Sequence, residues 1–215
     1  RVGAAVTLVA RIGTDPYGDR AIESLSSSGV DTRHIVRDLS VPSGVALIAV
    51  DASGQNSIVV APGANARLSA DDVLAAVGAF EETDIVVLQL EIPIDTVAAA
   101  IEQARRLGKP VVLNPAPAAA LSEGLLRSVS VLVPNEVEAR MLTQPGSAAS
   151  ERPCDPSAVA VALLGLGAEA AVLTMGPGGA FGASREGSFH VPARKVTTVD
   201  TTAAGDCFTG VLAVG

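Results

Sequence analysis

Tryptophan is missing from this chain of 215 residues, tyrosine occurs once and phenylalanine four times. Any core must therefore be aliphatic and rich in alanine. Cysteine is almost as scarce: Cys154 and Cys207 have no CxxC spacing and no histidine partner nearby, a pattern expected of a reduced, cytoplasmic protein. No apolar run reaches the ~18 residues that a membrane-spanning helix needs. Val2–Ala10 is better explained as a strand than as the core of a signal peptide, because no small-residue cleavage site follows it. Basic residues are outnumbered, 15 Lys and Arg against 23 Asp and Glu, and the formal charge of −8 argues against a nucleic-acid partner. Disorder is excluded by the 48% hydrophobic and 18% charged content. Internal repeats, low-complexity linkers and a Walker A sequence are all missing. The loosest stretch is 144–156.

What is present alternates. Val6–Ala10 reads as a strand. Asp15-Pro16 supplies an N-cap with proline at the first helical position, and Gly29 ends that helix. Ser69 with Asp72 forms a capping box before Val73, Leu74 and Val77. Ile85–Leu90 is a continuous apolar run, as expected of a strand buried on both faces. Pro93 opens a helix and Gly108 closes it. Val111–Leu113, Val131–Val133 and Ala171–Thr174 are further strands, and a helix over about Ser157–Leu166 ends at Gly167. Strands separated by helices of this length predict βαβ units around a parallel sheet, hence an α/β fold with helices on both faces. Two hairpins break the alternation. One joins Val45–Val50 to Ser57–Ala61 through Asp51-Ala52-Ser53-Gly54, and the other joins Ala180–Ala183 to Ser188–Val191. The length suits one domain with room for a small appendage.

Chemistry gathers near the C-terminus. A β-branched run, Val196–Val199, feeds the small-residue turn Thr201-Thr202-Ala203-Ala204-Gly205, and an apolar helical segment starts at Asp206. Strand, tight turn and helix start together make an anion cradle of backbone N–H groups. A carboxylate at its mouth has two readings. Asp206 either caps the helix or takes a proton from a hydroxyl that attacks a phosphate. In open parallel sheets ligands sit beyond the carboxyl ends of the strands. That rule places the loops after Leu90, Leu113, Val133 and Thr174 on one rim with this turn. Asn135 and Glu138 have the spacing of a capping box. Glu91 ends a strand and has a solvated reading. Gly176-Pro177-Gly178-Gly179 does not fit GxGxxG, so a dinucleotide site is not expected. Asp200 fits an Asx-type turn contact. His34 and His190 stand alone and read as structural or surface residues, and Cys207 reads as a small packed residue.

Asp200-Thr201-Thr202-Ala203-Ala204-Gly205-Asp206 resembles the C-terminal signature of the ribokinase (phosphofructokinase-B) sugar kinase family. Gly44-Val45-Ala46, Gly63-Ala64-Asn65, Gln89-Leu90-Glu91, Asn114-Pro115-Ala116-Pro117, Pro134-Asn135-Glu136 and Thr174-Met175-Gly176-Pro177-Gly178-Gly179 agree with it in order along the chain. The resemblance implies a three-layer fold over 1–215 with a lid hairpin at about 43–62, and the exposed edge of that hairpin invites pairing of two copies. It implies transfer of the γ-phosphoryl group of ATP to the 5-hydroxyl of D-ribose. Other sugar or nucleoside kinases of the family, and a non-catalytic remnant, remain as alternatives. It gives Asp206 the role of catalytic base and Ala203, Ala204 and Gly205 that of an anion hole. Glu91 would bind the sugar. Asn135, Thr174, Met175, Gly176, Gly178, Gly179 and Gly205 would line the nucleotide. Glu138 would serve Mg²⁺ through water, and Asp200 with the Thr202 carbonyl would serve K⁺. The chain begins at Arg1 and stops in an apolar helix at Gly215. Arg1-Val2-Gly3-Ala4 resembles the end of a family helix, so truncation at both ends is expected.

Overall fold

The computed structural model describes residues 2–50, 56–144, 155–197 and 201–215. The chain divides into two compact units, Arg1–Glu82 with Glu91–Ala100, and Thr83–Leu90 with Ile101–Gly215. Asp200, Cys154, the Asp51–Gly54 turn and the end of the Val196–Val199 run lie outside the described residues.

The first unit opens with β1 (Val6–Thr7), β2 (Ala10–Gly13), α1 (Pro16–Ser27), β3 (Val30–Asp31) and β4 (Ile35–Asp38). The expected single strand over Val6–Ala10 is thus two. Val6–Thr7 pairs in parallel with Val30–Asp31, and Ala10–Gly13 with Ile35–Asp38. The break comes from the partner, which turns where the Ile35 N–H donates to the Thr32 carbonyl at 3.1 Å. Asp15 caps α1 as the sequence indicates, its Oδ1 accepting the Gly18 N–H at 2.9 Å. Its Oδ2 accepts the Ser43 N–H at 2.6 Å, and Ser43 Oγ accepts the Gly13 N–H at 3.0 Å. A side chain at Gly13 would collide with this Pro42–Ser43 strap. One aspartate thereby fixes both a helix start and the approach to the lid.

The lid is β5 (Val45–Val50) paired antiparallel with β6 (Asn56–Ala61), from Val45 opposite Ala61 to Val50 opposite Asn56. A 3-10 turn (Gly63–Arg67), α2 (Ala70–Ala75) and α3 (Val77–Glu82) follow. The Ser69–Asp72 capping box is formed in full. Nearly buried Asp38 ties this unit together. Its Oδ2 receives Arg11 Nε and Arg67 Nε, each at 3.0 Å, while Oδ1 accepts the N–H groups of Ser40 and Val41 at 2.9 and 3.0 Å. The Ser40 N–H and hydroxyl, with Arg11, hold the Asp38 carboxyl far below the usual carboxylate range.

In the second unit β7 (Val86–Leu88) precedes α4 (Ile94–Arg106), which the division between units crosses. Then come β8 (Val111–Leu113), α5 (Glu123–Leu126), β9 (Val131–Leu132), α6 (Glu136–Thr143), α7 (Pro156–Gly165), β10 (Ala170–Thr174), β11 (Ala180–Ser184), β12 (Gly187–Val191) and α8 (Ala204–Val214). They build a six-stranded sheet in the order β12-β11-β10-β9-β8-β7. β7 to β10 run parallel, and the β11–β12 hairpin closes one side antiparallel. The α/β fold with a mostly parallel sheet is therefore the one expected. Leu113, Leu132, Leu163 and Leu173 are fully buried, and truncating such a leucine to alanine costs about 2–5 kcal/mol.

Three expectations change. Ile85–Leu90 is not buried on both faces: only Val86–Leu88 is strand, it ends the sheet among the described residues, and Val87 is 46% exposed. Val196 and Thr197 are not in a strand. The last helix starts at Ala204, two residues before Asp206. Among the described residues no helix is long and apolar enough to cross a membrane.

Candidate active site

The carboxyl ends of β8, β9 and β10 meet the start of α8 around a cleft of about 170 Å³. Asn114 directly follows β8, Asn135 lies just beyond β9, and Thr174 is the last residue of β10. The rim rule thus holds inside this unit. Parallel strands stop at one edge, and the backbone that leaves them carries the polar side chains.

Asn135 and Glu138 form the expected capping box at the start of α6. Asn135 Oδ1 accepts the N–H groups of Val137 and Glu138, both at 2.9 Å. Glu138 Oε2 accepts the Asn135 N–H, and Oε1 accepts Asn135 Nδ2, both at 2.8 Å. Glu138 is 8% exposed, and burial pushes its carboxyl up despite the Asn135 N–H that favours the charged form. Among the described residues no ion pair is formed by Glu138, and a buried carboxylate of this kind is a group that a hydrated metal would relieve. The strand ends are locked to each other as well. The Thr174 N–H donates to the Pro134 carbonyl at 2.9 Å, and Asn114 Nδ2 donates to the Val133 carbonyl at 2.7 Å.

Helix α8 is built differently. Its N-cap, Ala203, has no side-chain cap bond and sits at φ 59°, the one non-glycine with positive φ among the described residues. Alanine in the left-handed region is strained. Asp206 occupies the third helical position, so the reading of Asp206 as N-cap is overturned. It is exposed on the cleft wall. The first helical N–H groups have no partner inside the helix. That of Ala204 closes the turn onto the Thr201 carbonyl at 3.1 Å, and the Thr209 hydroxyl donates to the Gly205 carbonyl at 2.9 Å. Nothing protein-borne would meet a Cβ added at Gly205, so the backbone there lies open to approach.

The cleft therefore brings together Asn135, Glu138, Thr174, Ala203, Ala204, Gly205 and Asp206. Met175, Gly176, Gly178 and Gly179 do not line it. They fold into a 3-10 turn over Gly176–Gly178, with the Met175 N–H donating to the Gly179 carbonyl at 2.9 Å. Gly179 is a backbone necessity, because a side chain there would strike the Val191 carbonyl. Thr202 is described but is not among the lining residues. Glu91 is exposed, belongs to the first unit and lies three residues past the end of β7, so it does not end a strand. Asn114, which the sequence reading put on the rim without a role of its own, lines the cleft as well. A polar residue directly after a buried strand on the predicted rim was the available signal.

The pattern of pfkB family carbohydrate kinases matches residues 1–215. The chain belongs to that family. The resemblance drawn from its motifs is thereby borne out over the whole length. A ribokinase of Staphylococcus aureus (strain COL) is 39% identical over 210 residues, covering 98% of this chain and 68% of the relative. A deoxyribokinase of Salmonella typhi is 36% identical over 218 residues, covering 99% and 69%. The structure of Arabidopsis thaliana ribokinase complexed with ribose and ATP superposes with a TM-score of 0.83 at 28% identity, covering 98% of this chain and 68% of that one. The chain spans about two thirds of the length of these relatives.

Proposed function

We propose that this protein transfers the γ-phosphoryl group of ATP to the 5-hydroxyl of D-ribose, giving D-ribose 5-phosphate and ADP. The observation that carries the reading is the cleft itself. An ionisable carboxylate, Asp206, shares the cleft with an uncapped helix start, a capped one and strand-end polar groups. Phosphoryl transfer has a loose transition state, so the protein mainly positions the partners and neutralises charge. Asp206 orients the sugar hydroxyl and accepts its proton as the new P–O bond forms. The N–H groups at Ala203 and Gly205 stabilise charge on the moving phosphoryl group, and Ala204 joins them if its bond to Thr201 opens. Asn135 and Thr174 hold the nucleotide phosphates. Met175 to Gly179 flank the nucleotide beyond them, and Glu91 binds sugar hydroxyls.

The residues fit Mg²⁺ held through water. Both Glu138 oxygens keep acceptor capacity, and among the described residues its charged form has no ion-pair partner. Bound Mg²⁺ would neutralise the charge of the triphosphate. Thr202, with Asp200, is the proposed seat of K⁺, propping the turn that carries Ala203. The lid pairs two copies. Leu47 and Val59 face each other across its strands at 70% and 65% exposure, and Ile48 and Val60 of adjacent cross-strand pairs are also open. A monomeric mass in solution would overturn the dimer. The reading also places the protein in the cytoplasm.

The test is ADP release from Mg·ATP with D-ribose, 2-deoxy-D-ribose, fructose or adenosine as acceptor. Ribose-dependent turnover supports the proposal. Preference for 2-deoxyribose, which the deoxyribokinase relative makes the foremost rival, keeps the chemistry and overturns the substrate. No turnover with any acceptor overturns the enzyme reading.

A further inference from the structure

The turn Gly176–Gly178 is a single 3-10 turn, exposed and rich in glycine, and such a turn has little intrinsic stability. Its own bonds are few: Gly178 N–H to the Met175 carbonyl at 2.9 Å, and Gly179 N–H to the Gly176 carbonyl at 3.0 Å. Yet it directly follows Thr174, which lines the cleft. Whatever fixes the turn also fixes how the backbone leaves that wall.

Two attachments lie outside the turn, at the end of β12 and the residues that follow it. The backbone at Gly179 is pressed so closely against Val191 and Ala193 that no side chain fits between them. One residue earlier, His190 Nε2 meets the Gly178 carbonyl at 2.8 Å. A carbonyl only accepts, so this bond requires a proton on Nε2, as in the Nε2–H tautomer or the protonated ring. Strand alternation puts Phe189 and Val191 on the opposite face, where the Phe189 ring covers Gly182. His190 is thus the side chain that ties the β11–β12 hairpin to the glycine turn.

We infer that His190 is a positioning residue for nucleotide binding, holding the Gly176–Gly179 turn against β12 by donating from Nε2 to the Gly178 carbonyl. This rests on the proposed placement of the nucleotide beside that turn. His190 touches no reacting atom, so its loss changes affinity rather than chemistry. Glutamine also carries a side-chain N–H donor, and alanine carries none.

The experiment compares His190→Ala and His190→Gln with the parent protein, following amide exchange at Met175, Gly178 and Gly179 alongside kcat and KM for ATP. The alanine variant should exchange faster at these amides and show a KM for ATP raised about five-fold, the usual weight of one hydrogen bond, with kcat changed less than about two-fold. The glutamine variant should recover both. Unchanged exchange in the alanine variant overturns the tether, whatever the kinetics. Faster exchange with an unchanged KM for ATP leaves the tether standing but overturns its role in nucleotide binding, and with it the placement of the nucleotide at this turn.

Discussion

Helices α6 and α8 begin on the same cleft and begin in opposite ways. At α6 the protein satisfies its own helix end: Asn135 and Glu138 exchange four hydrogen bonds with each other and with the first N–H groups. At α8 it does not. Ala203 offers no side-chain acceptor and holds a backbone conformation that suits glycine better. Asp15, Ser69, Ser122 and Asp155 cap their helices as Asn135 does, so α8 departs from the habit of this chain. A helix end left open on a cleft, among small residues, is one that a ligand can complete. A capped end beside it lends rigidity and a carboxylate. On the proposed function the two ends would divide the work of holding a phosphorylated ligand, the capped one by rigidity and the uncapped one by its open N–H groups.

That comparison can be broken in order of expected effect. Asp206→Ala should lower kcat by about 10²–10⁴-fold, the contribution of a positioned base, while stability falls by less than about 1 kcal/mol. A stability loss as large as that of a true cap, with kcat preserved, would return Asp206 to a structural role. Asn135→Ala should do the reverse in stability. It removes the cap and the Nδ2 partner of a buried carboxylate, costing about 1–2 kcal/mol in urea unfolding, and it should raise KM for ATP as well. If denaturation is unmoved, the capping box contributes less than its geometry implies. Ala203→Gly should stabilise the protein by about 0.5–1 kcal/mol by releasing left-handed strain, visible as a higher urea midpoint. A lower midpoint would mean that the turn relaxes without cost.

The smallest effect is the pH dependence set by Glu138. Its folded carboxyl holds a proton more tightly than the unfolded one. Stability on its account is therefore greatest in acid and declines as pH rises from the ordinary glutamate value through the raised one. Glu138→Gln should remove that decline above the ordinary glutamate range. Added Mg·ATP should reduce it in the parent, and an identical slope in parent and variant would sink the argument.

Much of the second unit was legible because its signals are local. Buried strands such as Val111–Leu113 read as apolar runs. The capping box at Asn135 is a statement about four consecutive residues, as are the Ser69 box and the Asp15-Pro16 start in the first unit. The first unit was less legible. Val6–Thr7 and Ala10–Gly13 form one apolar stretch, yet they pair with different strands because the partner turns at Thr32–Ile35. Nor does anything in Ala203-Ala204-Gly205 announce which residue takes the positive φ. His190 looked idle because its partner is a main-chain carbonyl twelve residues away.

By itself the sequence determined the buried strands of the second unit, the caps at Asp15, Ser69 and Asn135, the family and the loops from which a site had to be built. These follow from periodicity, turn chemistry and motif order, which act over a few bonds. The rim rule put the loops of Asn114, Asn135 and Thr174 beside the turn before Asp206, and only the tertiary structure decided which of their residues line the cleft, that Glu138 is buried there, and that α8 begins two residues before its carboxylate. Those outcomes depend on where parallel strands end relative to one another and on which N–H groups remain open after packing. Strand register and packing are settled between segments some 20 to 90 residues apart, and no local pattern records them.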